Sequence, residues 1–337
     1  MSSPKKVAVV ILSWNGKNYL EQFMPSVVQH TNPQLCEIVV ADNCSTDGSV
    51  EFVRKNYPNI RLVQNERNGG YAGGYNDALK QIVAEYYVLL NQDIEVTDGW
   101  VEKVIAEMEK DKAIAAAQPK LLSYHQRDEF EYAGAAGGFL DKWSYAFCRG
   151  RIFNTIEKDK GQYNDAVEIF WASGACLFMR SDLFWKAGAL DEDFFAHQEE
   201  IDLCWRLKNM GYKVIAVPAS VVYHVGGGSL SYGNPRKAYL NFRNNLNMML
   251  KNLPAIELWK IPLRFVLDFM ALIQAIVKEK GFSTALAIHK AHLHFCMAIP
   301  ETLNKREKIA KKRKGILYPK SVVWQHFAGG KKNFSEL

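Results

Sequence analysis

Four short apolar runs punctuate the first third of the chain, at Val7 to Leu12, Glu37 to Ala41, Ile60 to Val63 and Tyr86 to Leu90. Between them, Gly16 to Gln29, Asp47 to Asn56 and Asn76 to Ala84 carry apolar residues at helical spacing. Short apolar runs bounded by polar turns read as buried strands. Their alternation with helices predicts a parallel sheet covered on both faces. Ligands of such sheets sit beyond the carboxyl ends of the strands, and Ser13-Trp14-Asn15, Asp42-Asn43 and Asn91-Gln92-Asp93 all fall there.

Further along, Asp98-Gly99-Trp100-Val101 opens another helix, and Ser123 to Asp165 lacks a regular period and reads as loops or a hairpin. Glu168 to Met179 reads as a strand pair, or a strand and turn, around Ala172 to Ala175. A short helix is expected at Ser181 to Ala187 and a stronger one at Glu199 to Met210, closed by Gly211. Tyr212 to Val217 and Ser220 to Val225 read as two strands. The run from Gly226 to Pro235 reads as a flexible loop, giving an α/β unit at 1–235 and a helical region at 236–337. Within the latter, Leu258 to Val277 is apolar around a narrow stripe of Lys260, Arg264, Asp268 and Gln274. A helix of that profile is expected to bury most of its circumference.

Charge sharpens this division. The net charge is +6 over 337 residues, but residues 1–235 carry 23 Lys and Arg against 30 Asp and Glu, and residues 236–337 carry 19 against 6, so −7 and +13 sum to +6. The basic part, with its cluster at Lys305, Arg306, Lys308, Lys311, Lys312, Arg313 and Lys314, is expected to face an anionic membrane. No nucleic-acid recognition motif accompanies it. Six scattered cysteines without a Cys-x-x-Cys suit reduced thiols and offer no zinc site. Lys5-Lys6 and the apolar run after them faintly resemble a signal peptide, but Ser13 to Gly16 cut the run short. Nor is any uninterrupted apolar stretch long enough to span a bilayer. A cytoplasmic protein, peripheral on the inner face of the cytoplasmic membrane, is the expectation.

Three constellations carry candidate chemistry. Asn91 and Asp93 lie two apart on an extended segment, so they point the same way and offer oxygen ligands to a hard cation; turn formation alone is the plainer explanation of Asp93. Asp42 at a strand end can accept the imide N–H of uracil or thymine, whereas Thr46 and Asp47 are explained by helix capping. Adjacent Glu199 and Glu200 at a helix start are favoured by the macrodipole, yet they repel one another, which tends to raise one pKa toward that of a useful base. The glycines of Asn68-Gly69-Gly70-Tyr71-Ala72-Gly73-Gly74 permit close backbone approach to a ligand, without the spacing of a dinucleotide fingerprint. His224 stands on a strand just before the triple glycine, where a histidine is often structural.

In this order the motifs resemble those of the family 2 glycosyltransferases, inverting enzymes of the GT-A fold that include assemblers of bacterial polysaccharides. The resemblance runs from about Val7 to Ser231. Val9 to Gly16 is similar to the family's opening strand and nucleotide loop, Val40 to Ser49 to its base-binding strand end, and Asn68 to Gly74 to its glycine loop. Leu89-Leu90-Asn91-Gln92-Asp93 resembles its Asp-x-Asp motif, and Glu199-Glu200-Ile201-Asp202 the Glu-Asp motif that supplies the base. Ser173-Gly174-Ala175 and Gly188 to Phe195 resemble the lining of the sugar pocket.

The resemblance implies an α/β GT-A fold with a mostly parallel sheet and a C-terminal helical extension. It implies transfer of a sugar from a UDP- or dTDP-linked donor to a saccharide or lipid-linked acceptor. Ser13, Asn15, Asp42, Asn43, Gly70, Gly73, Asn76, Asn91 and Gly174 would bind the donor, and Asp93 with His224 would hold Mg2+ or Mn2+. Glu200 is the expected base, with Glu199 the alternative because the second carboxylate is Glu where the family has Asp. A sugar-phosphate nucleotidyltransferase would need a glycine-rich basic loop after the first strand, which Ser13 to Lys17 is not. A silent polysaccharide- or membrane-binding scaffold would not need Asp42, Asp93, Glu200 and His224 together.

Overall fold

The computed structural model describes residues 4–226, 234–277, 281–309 and 312–337. The expected glycine loop at 227–233 and Lys311 of the basic cluster lie outside the described residues. The elements run β1 (Val7–Ser13), α1 (Lys17–His30), β2 (Cys36–Asp42), α2 (Ser49–Asn56), β3 (Arg61–Gln64), α3 (Gly70–Leu79), β4 (Tyr86–Asn91), β5 (Ile94–Val96), α4 (Trp100–Glu109) and β6 (Ile114–Ser123). Then come β7 (Gly138–Leu140), β8 (Ala146–Cys148), β9 (Arg151–Ile152), β10 (Thr155–Ile156), β11 (Val167–Ile169), β12 (Cys176–Arg180), α5 (Ser181–Lys186), α6 (Glu199–Met210) and β13 (Lys213–His224). Four helices close the chain, α7 (Pro235–Asn252), α8 (Lys260–Val277), α9 (Gly281–Glu307) and α10 (Val322–Phe327).

The large sheet is ordered β11-β13-β6-β12-β4-β1-β2-β3, with β5 pairing β13. The strands β3, β2, β1 and β4 are parallel to one another. Because β12 is antiparallel to both β4 and β6, and β13 is parallel to β6, those two share that direction. β12, β11 and β5 run against it. Alternate residues of β1 and β4 feed opposite cores, as strand geometry requires: Val10 and Leu89 join Tyr75 of α3 and Trp205 of α6, while Val9, Ile11 and Val88 join Leu20 of α1 and Trp100 of α4.

Four local expectations change. The glycine run is the first turns of α3, which begins at Gly70 rather than Asn76. Glycine is a poor helix former, but here it admits close packing, and tertiary contact outweighs propensity. The region from Ser123 to Asp165 builds a four-stranded sheet, β10-β9-β8-β7. The chain end covers it, with Tyr318, Val322 and Phe334 packed on Phe147 and Ile152. β11 and β12 do not pair with each other but with β13 and with β4 and β6. The two strands expected at 212–225 are one, β13, with an irregularity between Val217 and Val221 that absorbs Pro218.

Residues 236–337 share the core of the preceding part: Leu246, Met249, Leu253 and Phe295 belong to the cluster on the α6 face of the sheet. Buried ion pairs join them as well. Lys251 Nζ lies 2.6 Å from Asp191 and 2.7 Å from Asp202, and Lys305 is 2.6 Å from Asp191.

Part of the basic cluster is engaged by the protein, because Lys305 pairs with Asp191 and Asp193, Arg306 donates to the Leu250 and Leu253 carbonyls at the end of α7, and Lys312 donates to the Arg306 and Ile309 carbonyls, whereas Lys308, Arg313 and Lys314 are exposed. α8 is reversed with respect to its pattern. Arg264 and Asp268 of the polar stripe are turned inward and paired at 2.7 Å. Leu263, Val266, Phe269, Met270, Ile273 and Ile276 are exposed. The reason is a polar socket: Arg264 donates to the Trp143 carbonyl and to Asn245 Oδ1, and its guanidinium stacks 3.6 Å over the Tyr145 ring.

Candidate active site

The carboxyl rim gathers the expected strand ends by register, Ser13 opposite Asp42 and Leu12 opposite Asn91. Asp42 is buried; its Oδ2 accepts the Ser45 N–H at 3.1 Å, and Oδ1 has no hydrogen-bond partner. The hydroxyl of buried Ser13 is likewise unpartnered. Such atoms cost free energy unless a ligand or water completes them. Asn15, at φ +46°, accepts the Thr46 N–H at 2.8 Å and ties the first loop to the β2 end.

Two of the expected donor-binding residues, Asn43 and Asn76, have side chains engaged by the protein. Asn43 donates to Asn68 Oδ1 and the Gly70 carbonyl, and accepts from Asn65 and Gly69. Asn76 donates to the Leu190 carbonyl and to Glu192, and accepts from the Leu190 N–H. With four and three partners, neither has an N–H left for a donor molecule. Gly70 and Gly73, expected to let a ligand approach, also allow close packing. At φ +68°, a Cβ on Gly70 would stand 2.3 Å from the Phe195 carbonyl oxygen, and Gly73 packs against Glu192.

At the end of β4, Asp93 meets His224 across the β5–β13 pairing. Asp93 Oδ1 is 3.2 Å from His224 Nε2, Asn91 Nδ2 is 3.4 Å from the same nitrogen, and Glu131 Oε1 is 3.2 Å from Nδ1. Burial works against both charges but is outweighed: His224 holds the Asp93 carboxyl below its usual range, and Asp93 with Glu131 lifts His224 to about 10. Glu131 lies in the segment to which the pattern assigned no chemistry, and no spacing signal marked it. Among the described residues no three His, Cys, Asp or Glu side chains form a metal cluster. One carboxylate and one imidazole, the latter once it gives up its Nε2 proton to an arriving metal, fit a hard cation whose other ligands would be diphosphate oxygens and water.

The third group surrounds the start of α6. Glu199 is buried and Glu200 half-buried, and each has an Oε2 without a partner. Burial raises both carboxyls, and the charge of Glu200 raises Glu199 further. A Cβ on Gly174 would lie 3.6 Å from Glu200 Cγ and 2.8 Å from the Tyr71 hydroxyl, which donates to the Gly174 carbonyl at 2.6 Å. Tyr71, half-buried between the glycine run and the Glu pair, is a candidate the pattern passed over. His197, which burial and then Lys237 push down to about 4, is a neutral imidazole with Nε2 unpartnered.

The preceding backbone is strained. Phe195 has φ +62° and ψ −60°, closing a three-residue turn from the Ala196 N–H to the Phe194 carbonyl at 2.7 Å, and His197 and Gln198 have φ +69° and +74°. Each such residue costs about 1–3 kcal/mol and persists only where surrounding contacts over-determine it.

The profile of glycosyl transferase family 2 matches residues 8–188, more than half of the chain. The chain belongs to glycosyl transferase family 2. This glycosyltransferase is 25% identical over 240 residues to the N-acetylglucosaminyl-diphospho-decaprenol L-rhamnosyltransferase of Mycobacterium tuberculosis, covering 64% of this chain and 75% of that one. It is 23% identical to the O-antigen biosynthesis protein RfbC of Myxococcus xanthus over 65% of this chain and 17% of that one. Among solved structures it superposes on GalNAc-T7 with UDP, GalNAc and Mn2+ (TM-score 0.61, 15% identity, 98% of this chain and 57% of that one). It also superposes on Staphylococcus aureus TarS 1-349 in complex with UDP-GlcNAc (0.56, 18%, 89% and 83%). The fold is GT-A.

Proposed function

We propose that this family 2 glycosyltransferase moves a sugar, with inversion, from a UDP- or dTDP-linked donor to a lipid-linked saccharide during cell-surface polysaccharide synthesis. The observation that carries the reading is the pair of unpartnered buried carboxyl oxygens, Asp42 Oδ1 and Glu200 Oε2. The first can accept the imide N–H of the base. The second can accept the acceptor hydroxyl's proton as that oxygen attacks the anomeric carbon. Glu200 is the better base because Glu199 is the more deeply buried, and burial together with the charge of Glu200 raises its carboxyl. Asp93 and His224 would hold Mg2+ or Mn2+, which supplies positive charge against the leaving diphosphate. Glu131 Oε1, 3.2 Å from His224 Nδ1, places negative charge behind the ring.

The two structural relatives are complexes with UDP or a UDP-sugar, one with Mn2+, and the mycobacterial relative is named for a decaprenol-linked acceptor. Both names support the same substrate classes here.

No helix among the described residues is long and apolar enough to cross a membrane. The outward apolar face of α8 and exposed Phe282, Leu286, Leu293 and Met297 of α9 suit a peripheral seat in a bilayer, within reach of a lipid-linked acceptor. The decisive experiment measures thermal unfolding with UDP- and dTDP-sugars, with and without Mn2+. A true donor at 100 times its Kd adds about 2.7 kcal/mol of stability, and Asp93→Ala should abolish the Mn2+-dependent part. Full Mn2+-stimulated turnover by Asp93→Ala would overturn the metal assignment.

A further inference from the structure

The strained turn that delivers Glu199 and Glu200 is braced from outside by α7, through a run of asparagines on one helical face. Asn244 is fully buried, and its single amide nitrogen lies within hydrogen-bond reach of three carbonyls of the turn: Phe194 at 3.0 Å, Ala196 at 3.0 Å and His197 at 2.8 Å. Its Oδ1 is in turn fixed by Arg243 Nε at 2.9 Å, while Arg243 Nη2 donates to the Asp193 carbonyl at 2.6 Å. One turn earlier Asn241 Oδ1 accepts from Gln198 Nε2, and Asn245 Nδ2 donates to Gln198 Oε1 and to the Ser144 carbonyl.

Backbone carbonyls that converge within one left-handed turn repel one another and have no helix or strand to satisfy them. A side-chain amide aimed at all three supplies the positive end of a dipole where the turn needs it. The Phe195 carbonyl, which this turn presents on the other side, receives the N–H groups of Tyr71 and Ala72 at 2.7 and 3.2 Å. The α7 clamp therefore sets two things at once: the entry of α6, and the seat of Tyr71 beside Gly174 and the Glu pair.

We infer that Asn244 is a positioning residue of the transfer reaction, acting through the 194–198 backbone to aim the Glu200 carboxylate, and that Asn241 and Asn245 support it through Gln198. This rests on Glu200 being the base. It makes the region after residue 235 part of the catalytic machinery.

The test uses the full chain and the UDP- or dTDP-linked sugar that it turns over. Asn244→Ala and Asn244→Asp, which keeps the shape but turns a donor into an acceptor, are compared with Glu200→Gln. kcat is normalised to the number of donor-binding sites, so that loss of folded protein does not count. Asn244→Ala should lower kcat about 100-fold, the scale of a misplacement near 1 Å, while donor Kd stays within about twofold, as expected when only transition-state geometry is lost. Amide exchange should quicken across 194–202 and remain unchanged in β1 and β4. If the Asn244 variants do not fold, Asn241→Ala carries the same test and should lower kcat with donor Kd preserved.

Normal kcat per binding site in a folded variant overturns the inference, as does a fall in kcat matched by an equal loss of donor affinity. If Glu200→Gln is inactive and Asn244→Ala fully active, the clamp alone fails. If Glu200→Gln is fully active and Asn244→Ala is not, the base assignment fails, and the clamp stands on the kcat loss and the exchange of 194–202.

Discussion

Lys251→Met tests whether α7 and α9 are bolted to the catalytic unit by charge. Lys251 is 4% exposed, and its ammonium lies 2.6 Å from Asp191 and 2.7 Å from Asp202. Methionine keeps much of the apolar stem and removes the charge. Removing one partner of a buried ion pair costs about 3–5 kcal/mol, because the other charge stays buried. Here the lower end, about 3 kcal/mol, is expected: Asp202 retains Arg206 at 2.9 Å and Asn252 at 2.7 Å, and Asp191 retains Lys305. With a urea m-value of about 3 kcal/mol/M for a large chain, the midpoint should fall by about 1 M.

The same variant carries a pH signature. Burial opposes the charge of Asp191, but Lys251 and Lys305 outweigh it and hold its carboxyl well below the ordinary range. That depressed pKa contributes stability that is fully present above the unfolded value of about 3.9 and is lost as pH falls through the folded value. Losing Lys251 weakens the depression; because the unfolded chains titrate alike, the gap between the two proteins should persist from neutrality through about pH 4 and narrow only in stronger acid, as Asp191 of the folded variant takes up its proton before that of the parent. Urea melts at pH 7 and at about pH 2 measure this directly. A variant within 1 kcal/mol of the parent at pH 7, or a gap that widens in acid, would refute the reasoning.

Other outcomes follow from the site. Asp42→Ala should weaken donor binding by roughly 1.5–3 kcal/mol, the worth of a hydrogen bond to a charged acceptor, seen as a raised KM with kcat kept; unchanged donor affinity would move the base subsite elsewhere. Burial raises the Glu200 carboxyl, so kcat should fall as pH drops through a value above the usual carboxylate range, and Glu200→Gln should cost about 10²- to 10⁴-fold. If Glu199→Gln suffers that loss instead, the two roles are exchanged. Wild-type protein should co-sediment with anionic liposomes, and Phe269→Glu with Met270→Glu should release it while turnover of a soluble acceptor analogue persists. Indifference of the wild type to liposomes at low salt would remove the membrane seat.

The parallel half of the sheet was readable from the chain because each strand is a continuous apolar run ending in a polar side chain, and strand period and rim position follow from that alone. β6 escaped because Ile114-Ala115-Ala116-Ala117-Gln118-Pro119 has neither bulk nor alternation, and its place comes from partners distant in sequence. The glycine run misled for a related reason: its helix exists by packing on Asn43 and Phe195, not by propensity. Asp42, Asp93, His224 and the Glu pair were visible as charges where a core was expected. Glu131 and Asn244 were not, since what marks them is the three-dimensional neighbour they satisfy. Asn241, Asn244 and Asn245 do share the i, i+3, i+4 face of a helix, a polar stripe that asks for an explanation before any coordinates exist.

α8 uncouples tolerance from exposure in an unusual direction. In most helices a greasy residue is guarded by folding, and a charged one drifts. Here Arg264 and Asp268 are the interior, locked to Tyr145, Asn245 and the Trp143 carbonyl, so they answer to the fold. Leu263, Val266, Phe269 and Ile273 face outward and answer to whatever wets them. In plain buffer that is water, and the face should make the isolated protein sparingly soluble, with self-association that mild detergent reverses. Two separate sets of positions on one helix thus govern whether the chain folds and where it resides, and mutation can address either without disturbing the other.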